Sequence, residues 1–288
     1  MPTQSHPNFL CVGARKSGTT WIYVYLKNHS DCTMPPIKEL NFFSNRALLK
    51  NDEARLEYLQ TKRDNLSQKL LKDKKHDIVL PEVPKVATLD NAIDWYKSLF
   101  TLGYDQGLNM TGDISPLYQN LTQEMILVIK KEFPDIKIIY VLRNPVERLW
   151  SDFNMENERL FKLPIESTSP EHLLDVILSR TVRGGFVYQV YKQWKDIFGD
   201  NMLTLFFEEL KQDPVNFTKE INGFLGLKNK ENLAKNTNNP NPRKKFPMPQ
   251  YVNTNLCKLL YGDVKALHSE FNNTYTSQYL SYIEDHIK

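Results

Sequence analysis

Cysteine is scarce in this sequence: there are three residues in 288, Cys11, Cys32 and Cys257, with no C-x-x-C pair and no histidine at ligand spacing. That argues against a disulfide framework and offers no metal-binding pattern, so no metal is expected and the thiols are expected to be buried and free. Long apolar runs are missing too. The longest strongly apolar stretch, Ile136 to Leu142, falls far short of the roughly 20 residues that cross a bilayer, and the opening MPTQSHPN has no apolar core of a leader. A cytoplasmic protein that does not enter the membrane is expected. Neither sign of charge dominates: 37 basic and 34 acidic side chains leave a net charge of +3. That balance is too even for a chain that grips nucleic acid by counterion release, so any anion site must be local.

What is present reads as a globular α/β chain. Hydrophobic residues at 41% and charged residues at 25% are ordinary for a folded domain, and α/β folds of this length often form one unit, so residues 1–288 are expected to be a single domain. Phe9-Leu-Cys-Val-Gly13 is a short apolar run ending in glycine; Arg-Lys-Ser-Gly-Thr-Thr follows and leads into the helical Trp21 to Leu26. A second buried strand is predicted over Ile136–Leu142, stopped by Asn144-Pro145, and a third over Met202–Phe207, after Gly199-Asp200-Asn201. Helical stretches at 121–133, 187–197 and 215–225 alternate with them, which implies βαβ units around a central parallel sheet flanked by helices. The charged segment between Asn45 and His76 suits a surface helix or an inserted lid, its lysine-rich end a solvated face. Asn236 to Pro249 reads as loop, because proline and asparagine dominate it.

A strand, then GARKSGTT, then a helix presents successive backbone N–H groups and a positive helix end to an anion, with Lys16 adding charge. Phosphate or sulfate is the expected guest. The nucleotide P-loop GxxxxGK[ST] is nearly matched, but Thr19 stands where its lysine belongs, and the strand ending at Leu142 is followed by Arg143 rather than by a magnesium-binding aspartate. Metal-free transfer is favoured over ATP chemistry.

Lys16-Ser-Gly-Thr-Thr-Trp21 resembles the 5′-phosphosulfate loop of sulfotransferases that use 3′-phosphoadenosine 5′-phosphosulfate (PAPS). The stretch from Val141 through Arg143 and Ser151 to Phe153 resembles their 3′-phosphate motif. Lys38-Glu-Leu-Asn-Phe-Phe43 is similar to the KEPHFF segment of the heparan-sulfate and bacterial members, Gly112-Asp-Ile-Ser-Pro116 to their GE(K/A)xP turn, and Phe224-Leu-Gly-Leu to an FLGL end. The resemblance covers roughly residues 9 to 270 and implies a P-loop-like α/β fold that binds PAPS and releases 3′,5′-diphosphoadenosine.

Carried onto this chain, the resemblance makes Lys16 the lysine at the bridging oxygen, with Arg15, Ser17, Gly18, Thr19 and Thr20 around the 5′-phosphate. Trp21 either packs near adenine or belongs to the core. Arg143 and Ser151, eight residues apart, match the 3′-phosphate ligands, and a guanidinium fork with a hydroxyl suits a dianion. Arg148 is read instead as a helix-surface partner of Glu147 or Glu156. At least one of Arg243, Lys244 and Lys245 is expected to close over the nucleotide.

Glu39 matches the family's catalytic base, with an ion pair to Lys38 as the other use of an acid there. None of His29, His76 or His268 matches the histidine of the phenol and steroid members. Ile114 stands where heparan-type members place a lysine, while Asp113 keeps the neighbouring acid. The implied reaction moves a sulfuryl group to a hydroxyl or amine of a small-molecule or glycan acceptor, with acceptor choice set by loops 44–85 and 154–185. A P-loop nucleotide kinase or phosphotransferase, and a non-catalytic nucleotide-binding module, are the alternatives.

Overall fold

Three short, largely apolar runs and the tripeptide Gly-Asp-Ile pair side by side. Phe9–Gly13 (β1), Gly112–Ile114 (β2), Lys137–Leu142 (β3) and Met202–Phe206 (β4) form a wholly parallel sheet in the order β2-β1-β3-β4. The computed structural model describes residues 6–101, 110–180, 182–237 and 246–288, and statements about the fold concern those residues.

The middle of the sheet is buried on both sides, which is why β1 and β3 are nearly continuous apolar runs rather than alternating ones. Leu10, Val12, Ile138, Tyr140 and Leu142 face one core, and Phe9, Cys11, Ile139, Val141 and Leu205 face the other. The second, smaller core is covered by Thr19–Lys27 (α1), which contributes Trp21, Ile22, Tyr25 and Leu26; by Leu210 of the short helix Phe207–Gln212 after β4; and by Phe217, Ile221 and Leu225 of Pro214–Leu225. The larger core holds Asp52–Lys72 (α2), Leu89–Ser98 (α3), Gln123–Glu132 (α4), Pro145–Glu156 (α5), Pro170–Arg180 (α6) and Val187–Phe198 (α7). It also takes in the long C-terminal pair Gln250–Phe271 and Thr274–Ile287. Truncating a fully buried sheet residue such as Ile139 to alanine is expected to cost about 2–5 kcal/mol.

Local sequence sets where the helices begin. Asn144 caps α5, its side chain accepting from the Val146 and Glu147 amides with Pro145 in the first turn, and Asp213-Pro214 starts the helix Pro214–Leu225 in the same way. The dipeptide that stops strand β3 therefore also opens α5.

Several expectations are revised. Gly112–Ile114, read as a turn, is an edge strand paired with β1. The charged segment is helical as expected, as α2, but its lysine-rich end is not simply solvated: Lys69 and Lys75 are half-buried and donate to the carbonyls of Lys38 and Pro36. The stretch 154–185, read as loop, contains α6. Cys11, Cys32 and Cys257 are buried and free, as expected.

Candidate active site

The carboxyl end of β1 turns into α1 with no side chain capping the helix. Gly18 is the N-cap residue, in the left-handed region at φ 84°, and no acidic side chain lies in the first turn. Only glycine fits: a Cβ there would come within 2.7 Å of Leu210 and 3.1 Å of Phe207. The first amides of α1 are therefore left for an anion, with the helix dipole behind them. Two further polar atoms at this end are buried without a partner, Ser17 Oγ and Arg143 Nε. A buried donor that is left unmatched is costly, so the pair fits a bound anionic group.

Lys16, also left-handed at φ 66°, is half-buried; its Nζ lies 3.9 Å from Met155 Sδ and its carbonyl accepts from Arg143 Nη1 at 2.7 Å. Arg143 thus ties the end of β3 to the loop after β1. Its guanidinium lies 4.8 Å over the Phe207 ring and makes a looser 3.4 Å pair with Glu147. Ser151 is half-buried on α5.

Two arginines make contacts within the protein that the sequence did not mark. Arg15 is committed to α5, pairing with Asp152 at 3.3 Å and with Glu156, while its amide donates to Gln119 Oε1 at 3.4 Å. Arg148 is a correction: it is fully buried rather than on a helix surface and pairs with neither Glu147 nor Glu156, donating instead to the carbonyls of Gly184 and Arg15. Burial pulls its guanidinium down and pushes the Asp152 carboxyl up, the latter opposed by the charges of Arg15 and Arg148. Trp21 packs against the smaller core: it stacks on Tyr25 with centroids 5.7 Å apart, meets Phe217 edge-on, and donates its indole N–H to Thr237 O at 2.7 Å. Arg243, Lys244 and Lys245 lie outside the described residues.

Glu39 is tied to this end by Lys38, whose ion pair with it was expected but whose second bond, to α1, was not. Lys38 Nζ bonds Thr20 Oγ1 at 3.0 Å and Glu39 Oε1 at 2.5 Å, linking the first turn of α1 to the carboxylate. The ion pair weighed against a catalytic role is therefore present, yet the Glu39 side chain is 40% exposed and the pair engages its Oε1. Thr19 is buried in the turn.

A buried network beneath this segment was also missed. Asp113, on β2, accepts from Ser115 Oγ at 2.6 Å, Tyr118 OH at 2.7 Å, Tyr96 OH at 3.2 Å and the Leu40 amide. Burial raises its carboxyl and those donors oppose the rise; burial also drives the Tyr96 and Tyr118 hydroxyls well up. Asp113 was visible in the sequence; the two tyrosines, 17 and 5 residues away, had no spacing to mark them. Ile114 is buried in the smaller core, away from any charge role. Among the described residues no group of three or more His, Cys, Asp or Glu is arranged to hold a metal, and no helix is long and apolar enough to cross a membrane.

Comparison with known proteins gives a consistent relationship. A family model described as a sulfotransferase domain matches residues 6–284. Heparan sulfate glucosamine 3-O-sulfotransferase 6 of Mus musculus is 31% identical over 143 residues, 48% of this chain and 41% of that protein. The Homo sapiens protein of the same name is 30% identical over 143 residues, again 41% of its length. The match thus spans less than half of these relatives. A sulfotransferase structure from Alicyclobacillus acidocaldarius superposes with a TM-score of 0.63 at 23% identity, covering 94% of this chain and 98% of that one, which shows a shared P-loop-like α/β fold.

Proposed function

The chain belongs to the sulfotransferase family, and from that premise we propose that it transfers the sulfuryl group of PAPS to a hydroxyl or amine of a small-molecule or glycan acceptor. The observation that carries this reading is the uncapped first turn of α1, with Ser17 Oγ and Arg143 Nε buried and unpartnered beside it. PAPS supplies, when bound, a sulfuryl group on a phosphate leaving group. Lys16, Ser17 and the amides from Gly18 to Trp21 hold the 5′-phosphate, with the Thr19 and Thr20 hydroxyls beside them. Arg143 and Ser151 take the 3′-phosphate, helped by at least one of Arg243, Lys244 and Lys245.

Glu39 accepts the acceptor's proton on the oxygen that Lys38 does not hold. Lys16 and the loop amides offset the negative charge that develops as the diphosphate departs. The arrangement is preorganised, because Arg143 fixes the Lys16 carbonyl and Lys38 fixes Glu39 against Thr20. The name of the curated relatives, which describes 3-O-sulfation of heparan sulfate glucosamine, makes a sugar hydroxyl the first acceptor to try. A reducing, cytoplasmic setting belongs to the same proposal and is supported by the three free thiols.

The test is label transfer from PAPS carrying labelled sulfate to a panel of sugar, phenol and amine acceptors, run with and without EDTA. Labelled product that persists in chelator is expected. Folded protein that transfers nothing from PAPS, but transfers phosphate from ATP once magnesium is restored, would instead favour the kinase reading.

A further inference from the structure

The segment that carries Glu39 shares its peptide groups between two neighbours. Its amides turn toward β2: the Asn41 N–H donates to Ser115 Oγ and the Phe42 N–H to Tyr118 OH, both at 2.9 Å, and both hydroxyls donate onward to Asp113. Its carbonyls turn toward α2 and the turn after it. Tyr58 OH donates to Phe42 O at 2.5 Å, Lys62 Nζ to Asn41 O at 3.3 Å, Lys69 Nζ to Lys38 O, and Lys75 Nζ to Pro36 O.

The order is systematic. Going down α2 from Tyr58 to Lys69 and on to Lys75, the partners run back from Phe42 to Pro36, so the segment lies antiparallel along the helix. At about 100° per residue, Tyr58, Lys62 and Lys69 fall within roughly 40° of one another on a single face of α2. Inside the clasped stretch, Glu39 and Asn41 sit in the left-handed region at φ 60° and 51°. Residues other than glycine rarely adopt that conformation and keep it only where the surroundings over-determine it.

Holding lysines this way is unfavourable on its own terms. Burial lowers the Lys62 amine to about 8 and lowers that of Lys69 as well, and long side chains lose rotamer freedom when fixed. Apolar residues would pack α2 without that cost; donors are needed only if the carbonyls must stay in place.

We propose that Tyr58, Lys62 and Lys69 are positioning residues for catalysis: through the carbonyls of Phe42, Asn41 and Lys38 they fix the direction in which Glu39 presents its carboxylate to the acceptor. The proposal rests on the sulfuryl-transfer reading with Glu39 as base. None of the three touches a reacting atom.

The test measures transfer from PAPS to acceptors running from acidic phenols to a simple alcohol, for Glu39→Gln, Lys69→Met, Tyr58→Phe and the conservative Lys69→Arg. A mispositioned base matters only where the acceptor needs one. Lys69→Met and Tyr58→Phe are therefore expected to lose up to about 100-fold in kcat with the alcohol and little with the most acidic phenol. Donor affinity and acceptor KM should hold, and Lys69→Arg should restore most of the rate. A loss equal across acceptors in both variants, or one confined to KM or melting temperature, overturns the proposal. If Glu39→Gln shows the acceptor dependence and both α2 variants lack it, the α2 proposal alone fails. If Glu39→Gln lacks it, the base assignment fails and takes the α2 proposal with it.

Discussion

Replacing Arg143 with alanine separates two roles that one guanidinium is expected to fill. In the free protein the side chain donates to Lys16 O at 2.7 Å, lies 4.8 Å over Phe207 and pairs at 3.4 Å with Glu147, itself 45% exposed. A hydrogen bond from a charged donor is worth about 1.5–3 kcal/mol, the cation–π contact about 0.5–2, and so exposed an ion pair no more than about 0.5. Because these are not additive, Arg143→Ala is expected to destabilise folding by roughly 2–4 kcal/mol. If the same fork holds the 3′-phosphate, a further loss of about 2–4 kcal/mol falls on 3′,5′-diphosphoadenosine and not on AMP, which lacks that group. The ratio of the two affinities should therefore drop about 30-fold to several hundred-fold. Calorimetric titration of wild type and variant with each nucleotide, below the variant's melting temperature, measures the ratio. Both nucleotides weakening by the same factor would refute the 3′-phosphate assignment and leave Arg143 as a tie between β3 and the loop.

Glu39→Gln keeps size and most hydrogen bonding but removes proton acceptance, so kcat with an alcohol acceptor should fall by about 10² to 10⁴ with nucleotide affinity nearly unchanged; near-normal turnover of an alcohol would remove Glu39 as base. Gly18→Ala should lower stability by at least about 1–2 kcal/mol from the left-handed backbone alone, more from its approach to Leu210, and weaken nucleotide binding, as checked by melting and titration. Burial lowers the Lys62 amine from 10.5 to about 8, against the pull of Asp113 and with the push of Lys69. The folded protein thus gives up this proton before the unfolded chain does, and its cost, in force below pH 8, is relieved as pH rises from about 8 to 10.5. Lys62→Met should then compare better with wild type in urea unfolding at pH 7 than at pH 10, and the opposite order would contradict a buried, charged Lys62.

The centre of the fold was legible because its signals are local. β1, the glycine-bearing turn and α1 follow one another without a gap, and β3 and β4 are apolar runs cut off by polar residues. β2 escaped because three residues, the first a glycine and with a proline two places beyond the last, cannot display a period; only pairing with β1 makes them a strand. The site divides in the same way. Lys16, Ser17 and Gly18 declare themselves by order in the chain, whereas Lys62 and Lys69 look like ordinary surface lysines until α2 folds back over residues 36–42. Arg148 was misjudged for a related reason: its proximity in sequence to Glu147 suggested a surface pair, but its partners, Gly184 and Arg15, are far away along the chain. Tyr25, Phe217 and Thr237, the partners of Trp21, have no common spacing in the sequence that would mark them.

The strand order has a consequence for synthesis. β1 sits in the interior of the sheet, but its partners come much later: Phe9 pairs with Gly112 on one side and with Lys137 on the other. At translation rates of about 5–20 residues per second, more than a hundred residues take roughly 5–20 s, during which the apolar FLCVG segment is made and has neither neighbour. Both long edges of an aggregation-prone strand are open for that interval, and parallel pairing over such separations is slow even once the partners exist. Yield on overexpression should therefore depend on how fast the chain is made and on chaperones that cover β1, more than on the equilibrium stability of the finished fold.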